Sequence, residues 1–399
     1  MADARTHTRT IGPEERRARL ALRHRLGAGV RAATAEQVAG SLVALHATDA
    51  ATVFLAAGAR LTADRDPVAE VERALYEERT LTRMHGMRHT LFVVPSALAA
   101  VVHSSTTDAV SARERTMLIK HLVAGSDHDE AWLAETERRV LAELAARGEA
   151  TGAELGTAVP RLREKYVYGV GTNQEGPQPV GSRVLRVLGM EGRIARGRPQ
   201  GGWTSSRFRW AAVPPHAQVA RDGAQAELVR HWLAAYGPAT EADLKWWTGW
   251  KVSDVRRALA AVGAVPVALA EGVGHVLPDD LDPVRPEEAG EPWAALLPAL
   301  DPTAMGWQSR DWYLEPELRP ALFDRSGNIG PTVWWNGRIV GGWAQRPNGE
   351  IVWRRLTDGD GDVDDFLIAE EAGRLTDWVG DTRITPRFRT PLEKELSAS

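Results

Sequence analysis

Along this chain the apolar residues keep to one of two spacings, and the places where the spacing changes mark out its elements. Residues 14–32 set Leu20, Leu22 and Leu26 among arginines and read as a helix. Thr34 stands three residues before Gln37, the spacing of a capping box, ahead of Val38, Leu42 and Leu45 on one helical stripe. Another helical pattern starts at Asp66, and residues 89–95 contain a short apolar strand stopped by Pro95.

Residues 131–147 are a clean amphipathic helix broken by Gly148; Thr151 caps a short second helix, and a third begins near Ser182. Residues 193–211 then read strand, Gly/Pro-rich hairpin tip, strand. Three helices followed by a basic two-stranded ribbon is the order of a winged helix-turn-helix. The order recurs over 224–277, with Thr240 and Asp243 in capping positions, and the first 95 residues fit a third, more divergent copy. Past an acidic, proline-containing linker, Asn336-Gly337 and Asn348-Gly349 are hairpin-turn dipeptides. They imply an antiparallel sheet or small barrel over 293–357, closed by a helix over 364–380.

The fold class expected is therefore α+β: tandem winged helix-turn-helix units, three in number, with a small antiparallel β-rich C-terminal domain. The boundaries fall at 14–125 (first winged-helix region), 131–212 (second, with a basic wing), 224–277 (third), 278–292 (linker) and 293–388 (β-rich domain). A chain of 399 residues is long enough for such a series and a substantial core.

Composition narrows the chemistry. With no cysteine, disulfides, thiolate catalysis and cysteine-ligated metal sites are excluded. The polar, basic first 20 residues have no apolar signal-peptide region, and no run approaches 18 uncharged apolar residues. A cytoplasmic location, no membrane partner and a monomer are the expectations. The net charge of −4 hides a pattern: residues 161–210 carry ten basic residues against three acids, +7, whereas 271–292 sum to −6 and 358–371 to −7. One basic segment suits a protein that turns one face to a polyanion. If its arginines pair with the two acidic segments instead, a protein-interaction scaffold is the better reading.

Several local patterns resolve to bland readings. The acidic run at 358–365 has Val363 and Ala369 where a calcium loop needs Gly and Glu, so it reads as a surface turn. His85 and His89 lie four apart, but Gly86 and the following strand argue against a helical metal pair; with Arg83 and Arg88 they read as an anionic-ligand contact or a solvated hairpin. Neither metal nor organic cofactor is expected. The tryptophans read mostly as core residues with satisfied indole N–H groups. His46, Thr48 and Asp49 stand together in an apolar segment just past a helix. Asp49 caps a following helix or carries charge chemistry; His46 is a core histidine or a catalytic one.

Four blocks carry a resemblance: residues 42–61, 83–95, 197–210 and 296–314. In order and spread over nearly the whole chain, they resemble the bacterial winged-helix DNA-binding family that includes DNA glycosylases of the azinomycin-resistance (AlkZ-like) type. The resemblance implies three tandem winged helices, double-stranded DNA as partner, and metal-free excision of bulky or crosslinked N7-alkylpurines. The family's catalytic element is Gln-x-Gln or Gln-x-Asp; its first position falls on His46 and its second on Thr48, and Asp49 matches an aspartate often found next. Both catalytic amides are thus replaced here. The DNA contacts implied are Arg83, Arg88, Arg183, Arg186, Arg196, Arg198 and Arg207.

Hydrolysis of an N7-alkylated nucleoside needs a positioned water and support for an oxocarbenium-like sugar, because the alkylated purine already leaves easily. A neutral His46 can orient or deprotonate that water, Thr48 can hold it, and Asp49 can stabilise the cation. If residues 45–49 continue the helix, these side chains converge only where it unwinds. No lysine lies in this segment to form a Schiff base, so the enzyme expected is monofunctional. The alternative is a non-catalytic winged-helix DNA-binding or lesion-sensing protein.

Overall fold

The computed structural model describes residues 9–358 and 361–398. Helix α1 (Pro13–Arg23) is shorter than its sequence pattern, since Arg25 takes a left-handed φ of 57° and turns the chain. Then come α2 (Ala35–Ser41), β1 (Leu45–His46), α3 (Ala50–Gly58), α4 (Pro67–Glu72), β2 (Leu81–His85) and β3 (Leu91–Pro95). Thr34 does cap α2, accepting from Gln37 N–H, but Gln37 answers with Ala33 N–H rather than that of Thr34. A broken helical run, α5 (Ala99–Val102) and α6 (Asp108–Gly125), leads to the next unit.

That unit is α7 (Glu130–Arg147), β4 (Glu149–Ala150), α8 (Gly152–Ala158), α9 (Val180–Met190) and the ribbon β7 (Ile194–Pro199) and β8 (Phe208–Ala212), with a hairpin of β5 (Lys165–Tyr168) and β6 (Gly176–Pro179) inserted before α9. No sequence signal announced the insertion. It seats against α6 because Gly125 presents no side chain: a Cβ there would lie 2.0 Å from Val167 O. Next come α10 (Arg221–Tyr236), β9 (Ala239–Thr240), α11 (Glu241–Thr248), α12 (Val252–Ala261), β10 (Val265–Leu269) and β11 (Gly272–Val276). Thr151–Glu154 and Thr240–Asp243 close reciprocal capping boxes on α8 and α11.

The three segments share one topology. A helix, a short strand, two helices and a two-stranded ribbon follow in sequence, and the short strand pairs with the ribbon's second strand: β1-β3-β2, β4-β8-β7 and β9-β11-β10. This mixed α+β arrangement is consistent with winged-helix-like units. The C-terminal part is a four-stranded antiparallel sheet, β12 (Ala294–Leu297), β13 (Thr332–Trp335), β14 (Arg338–Gln345) and β15 (Ile351–Arg355), in that order, with α13 (Arg319–Leu322), α14 (Asp365–Val379) and α15 (Pro391–Ala398) around it. Asn336-Gly337 turns β13 into β14 with φ of 44° and 82°, as an Asn-Gly hairpin requires.

Burial divides the molecule unequally. One cluster joins α1, the β2–β3 ribbon, α10 to α12 and the C-terminal sheet, centred on Trp232, Tyr236, Trp307 and Trp334. A second joins α2, α3 and β3 to β12–β14 and α14. The second winged-helix-like segment holds a core of its own around Leu144, Leu155 and Leu188. Most tryptophans are indeed core, and Trp307, Trp334 and Trp343 donate to oxygen partners. The expectation of satisfied indoles needs correcting for Trp232, Trp250 and Trp312, whose buried N–H groups have no partner. For Trp312 the physical reason is visible: its ring face receives the Arg16 guanidinium at 4.2 Å, and that cation–π contact positions it.

Candidate active site and cation cluster

The chain leaves α2 at Ser41 rather than continuing to Leu45. Val43 adopts φ 64°, a costly conformation for a β-branched residue, and the chain then enters β1 beside β3. Leu45–His46 is therefore extended, so helical geometry does not separate the side chains. His46 pairs with Phe92 across the strands and packs edge-on against its ring at 5.0 Å. The residue is 6 % exposed.

Thr48 N–H donates to His46 Nδ1 at 3.4 Å, which puts the ring proton on Nε2. Burial, and next the positive charge of Arg88, push His46 down to about 3, so the ring is neutral at physiological pH. Thr48 Oγ1 is buried with no hydrogen-bond partner among the described residues. A buried orphan hydroxyl two residues from a neutral imidazole is a place for a water or a substrate oxygen.

Asp49 is elsewhere engaged. Its Oδ1 accepts from Ala51 N–H at 3.2 Å as the N-cap of α3, and its Oδ2 accepts from Arg387 N–H at 2.9 Å. Arg387 Nη1 also donates to Thr48 O at 3.1 Å. The structure thus brings His46 and Thr48 together directly, while the Asp49 carboxylate makes no hydrogen bond to the imidazole among the described residues. It holds the loop's end in place and leaves a negative charge there.

The arginines divide by partner. Arg83 on β2 is 8 % exposed, with Nε and Nη2 unpartnered. Arg196 on β7 stacks on Phe208 at 4.0 Å; burial, with Arg83 and Arg387 beside it, holds it down to about 10. Arg88, at φ 51° in the β2–β3 turn, lies over Trp246 at 4.2 Å. Arg183 faces Tyr168, and Arg186 is exposed at 4.0 Å from Glu114. Arg207 is exposed, whereas Arg198 is spoken for, reaching Glu72 at 3.0 Å and Glu77 at 3.4 Å. The ribbon's tip is likewise docked, since Trp203 is buried between Phe54 and Trp378.

Among the described residues the basic segment makes no ion pair with either acidic one. Its ion pairs run to Glu72, Glu77, Glu114, Glu137, Glu149, Glu154 and Glu191. The acidic segments serve other helices: Glu271 and Asp280 take Arg16, Arg19 and Arg23 of α1, and Glu371 takes Arg31 and Arg374. Around His46, Arg83, Arg88, Arg196 and Arg387 form no ion pair among the described residues, and the Asp49 carboxylate lies beside Arg387.

Sequence reasoning missed Arg387 and Arg310. Arg310 lies inside one of the four blocks, so its neighbourhood carried a signal; Arg387 came with none, being 338 residues from the aspartate it holds. Among the described residues no group of three His, Asp or Glu side chains is arranged to hold a metal, and no helix is long and apolar enough to cross a membrane. The acidic run proposed above as a surface turn includes residues 359–360, outside those described.

Winged-helix-like units around a buried, neutral histidine with arginines beside it define a class of mixed α+β proteins. The chain belongs to the DNA glycosylase AlkZ-like family, which it matches over residues 39–378. Among solved structures it is similar to the DNA glycosylase AlkZ of Streptomyces sahachiroi, with a TM-score of 0.67 over 95 % of this chain and 99 % of that one. At 20 % identity that likeness is one of fold. No curated protein sequence matches the chain.

Proposed function

We propose that this protein is a monofunctional DNA glycosylase that hydrolyses the N-glycosidic bond of N7-alkylated purines in duplex DNA, built on three tandem winged helices with a β-rich C-terminal domain. The observation that carries the reading is the pairing of a neutral His46 with the orphaned Thr48 hydroxyl inside a field of unpaired arginines. Family membership supports the same reading.

The attacking water is held at the Nε2 edge of His46, where Nε2–H donates to its oxygen and leaves a lone pair free to face the sugar; the Thr48 hydroxyl, on the Nδ1 side of the ring, offers a separate partner to the substrate. Attack at C1′ forms the new C–O bond as the C1′–N9 bond breaks, and its electron pair neutralises the alkylated purine. A ring held down to about 3 is a weak base at neutral pH, so His46 orients the water and the released proton passes to solvent. The Asp49 carboxylate, fixed by two backbone N–H groups, supports the developing oxocarbenium charge. Arg83, Arg88, Arg183, Arg186, Arg196 and Arg207 contact the DNA backbone; Arg198, already paired, fixes the ribbon against the first unit.

The test is release of 7-methylguanine and of a bulkier N7 adduct from duplex DNA by the wild type, His46→Ala and Asp49→Ala. Release by the wild type that collapses in both variants is the expected result. Binding without release, across several N7 lesions, points instead to a lesion-sensing protein, a reading that the weak basicity of His46 favours.

A further inference from the structure

We propose that Arg88, Trp246 and Arg310 form a composite clamp for a single DNA phosphodiester, assembled from three separate parts of the chain and placed next to His46. Arg88 stands at the tip of the β2–β3 ribbon, Trp246 on α11, and Arg310 in the loop between β12 and α13. The guanidinium carbons lie 4.2 Å and 4.8 Å from the Trp246 ring centroid, so no more than about 9 Å separates them. Both cations therefore rest on one indole, and a single phosphate at the edge of that ring can take charge-assisted hydrogen bonds from the two of them.

Among the described residues no carboxylate neutralises this pair. Neither arginine has a carboxylate within ion-pair distance among the described residues, and Arg88 Nε and Arg310 Nη2 are buried without hydrogen-bond partners. Two like charges in a partly desolvated setting repel one another, and each withdrawn N–H leaves a hydrogen bond unmade. Burial, followed by the charge of Arg310, accordingly draws Arg88 down to about 10. An anion would relieve both penalties at once. All three residues keep part of their surface open to solvent, so the anion has a way in.

The backbone points the same way. Arg88 and His89 both take left-handed φ values, 51° and 62°, which non-glycine residues adopt only when the surroundings impose them. The turn presses against the end of α11, where a Cβ on Gly249 would come within 3.4 Å of Arg88 Cγ. The strain aims Arg88 across the ribbon's end at Trp246 instead of outward into solvent. Arg88 is also the charged neighbour that acts on His46, so a phosphate gripped here sets the distance between the DNA backbone and the water site.

The clamp rests on the DNA-binding part of the proposed function but not on its chemistry, and its test reads binding. Affinity for a duplex containing 7-methylguanine is measured between about 50 and about 200 mM KCl for the wild type, R88Q, R310Q, R310K and R88Q/R310Q. One shared phosphate means that the double variant flattens the slope of log K against log salt by about 0.9, and that R310K restores the wild-type slope. A slope unchanged in the double variant overturns the clamp; so does a loss of about twice that amount, which would mean two separate phosphates. Arg310 Nε also donates to Ala304 O at 3.3 Å, so the melting temperature of R310Q reports that lost bond together with the relieved repulsion, and the clamp is judged on the slopes. Wild type that binds but releases no base removes the hydrolytic reading and leaves the clamp to stand on its slopes, whereas wild type that binds no duplex overturns the clamp.

Discussion

Acid should unfold this protein early, and His46 should be one of the reasons. In an unfolded chain a histidine titrates near 6.5; in the fold, burial holds His46 and His24 down to about 3 each. Between those values the unfolded chain binds a proton that the native state refuses, so stability is full above pH 6.5 and falls as the pH drops toward 3. Each such histidine removes about 1.4 kcal/mol per pH unit in that window, or about 2 kcal/mol at pH 5. The two together remove about 4 kcal/mol, a large share of the 5–15 kcal/mol typical of a folded domain. His85, held down to about 4, acts in the same direction. The perturbation is His46→Gln, which deletes one titrating group. Urea unfolding from pH 7.5 to 4.5 should show the slope of stability against pH reduced by about 1.4 kcal/mol per unit relative to wild type. Imidazole carbon-bound proton shifts should place the His46 midpoint below pH 4. An unchanged slope in His46→Gln, or a midpoint near 6.5, would refute the account of a neutral, buried ring. The water-orienting role would go with it, since base release is expected to show no His46 ionisation near pH 6.5.

Three further outcomes follow from particular contacts. Asp49→Asn keeps an oxygen for the α3 cap but turns an amide NH2 on Arg387 N–H, so it should lose part of the stability that Asp49→Ala loses, about 1 kcal/mol with the cap, while both slow base release; base release left at the wild-type rate in Asp49→Asn would refute the electrostatic role. Arg60 grips Asp301 through both guanidinium nitrogens, 2.9 and 2.7 Å, with neither residue exposed, so Asp301→Ala should cost about 3–5 kcal/mol in a denaturant titration by stranding a buried charge; a loss under about 1 kcal/mol would contradict the burial. Arg196→Gln should flatten the salt dependence of DNA binding, while Arg198→Gln should leave it unchanged, because Glu72 and Glu77 already neutralise that charge.

Much of the local structure could be read from the chain directly. The caps at Thr151 and Thr240, the helices that follow them and the Asn336-Gly337 turn depend on residues within four positions of each other, and such interactions survive any tertiary arrangement. The repeated order of helices and ribbons was legible for the same reason. The site was legible only as an address. His46 and Thr48 stand where a resemblance places them, but the sequence leaves open whether the helix continues to them, and only pairing with β3 makes Leu45–His46 a strand.

The sequence by itself determined which segments are helix or ribbon, that thiol chemistry is absent, and where positive charge is concentrated. Tertiary structure alone decided what those charges and side chains do. Asp49 became a tether because Arg387, 338 residues away, folds back onto it, and Arg198 was neutralised by two glutamates from another unit. Arg88 and Arg310 were brought onto one indole. Protonation and pairing depend on burial and on distances through space, and neither quantity exists until segments far apart in the chain have packed together.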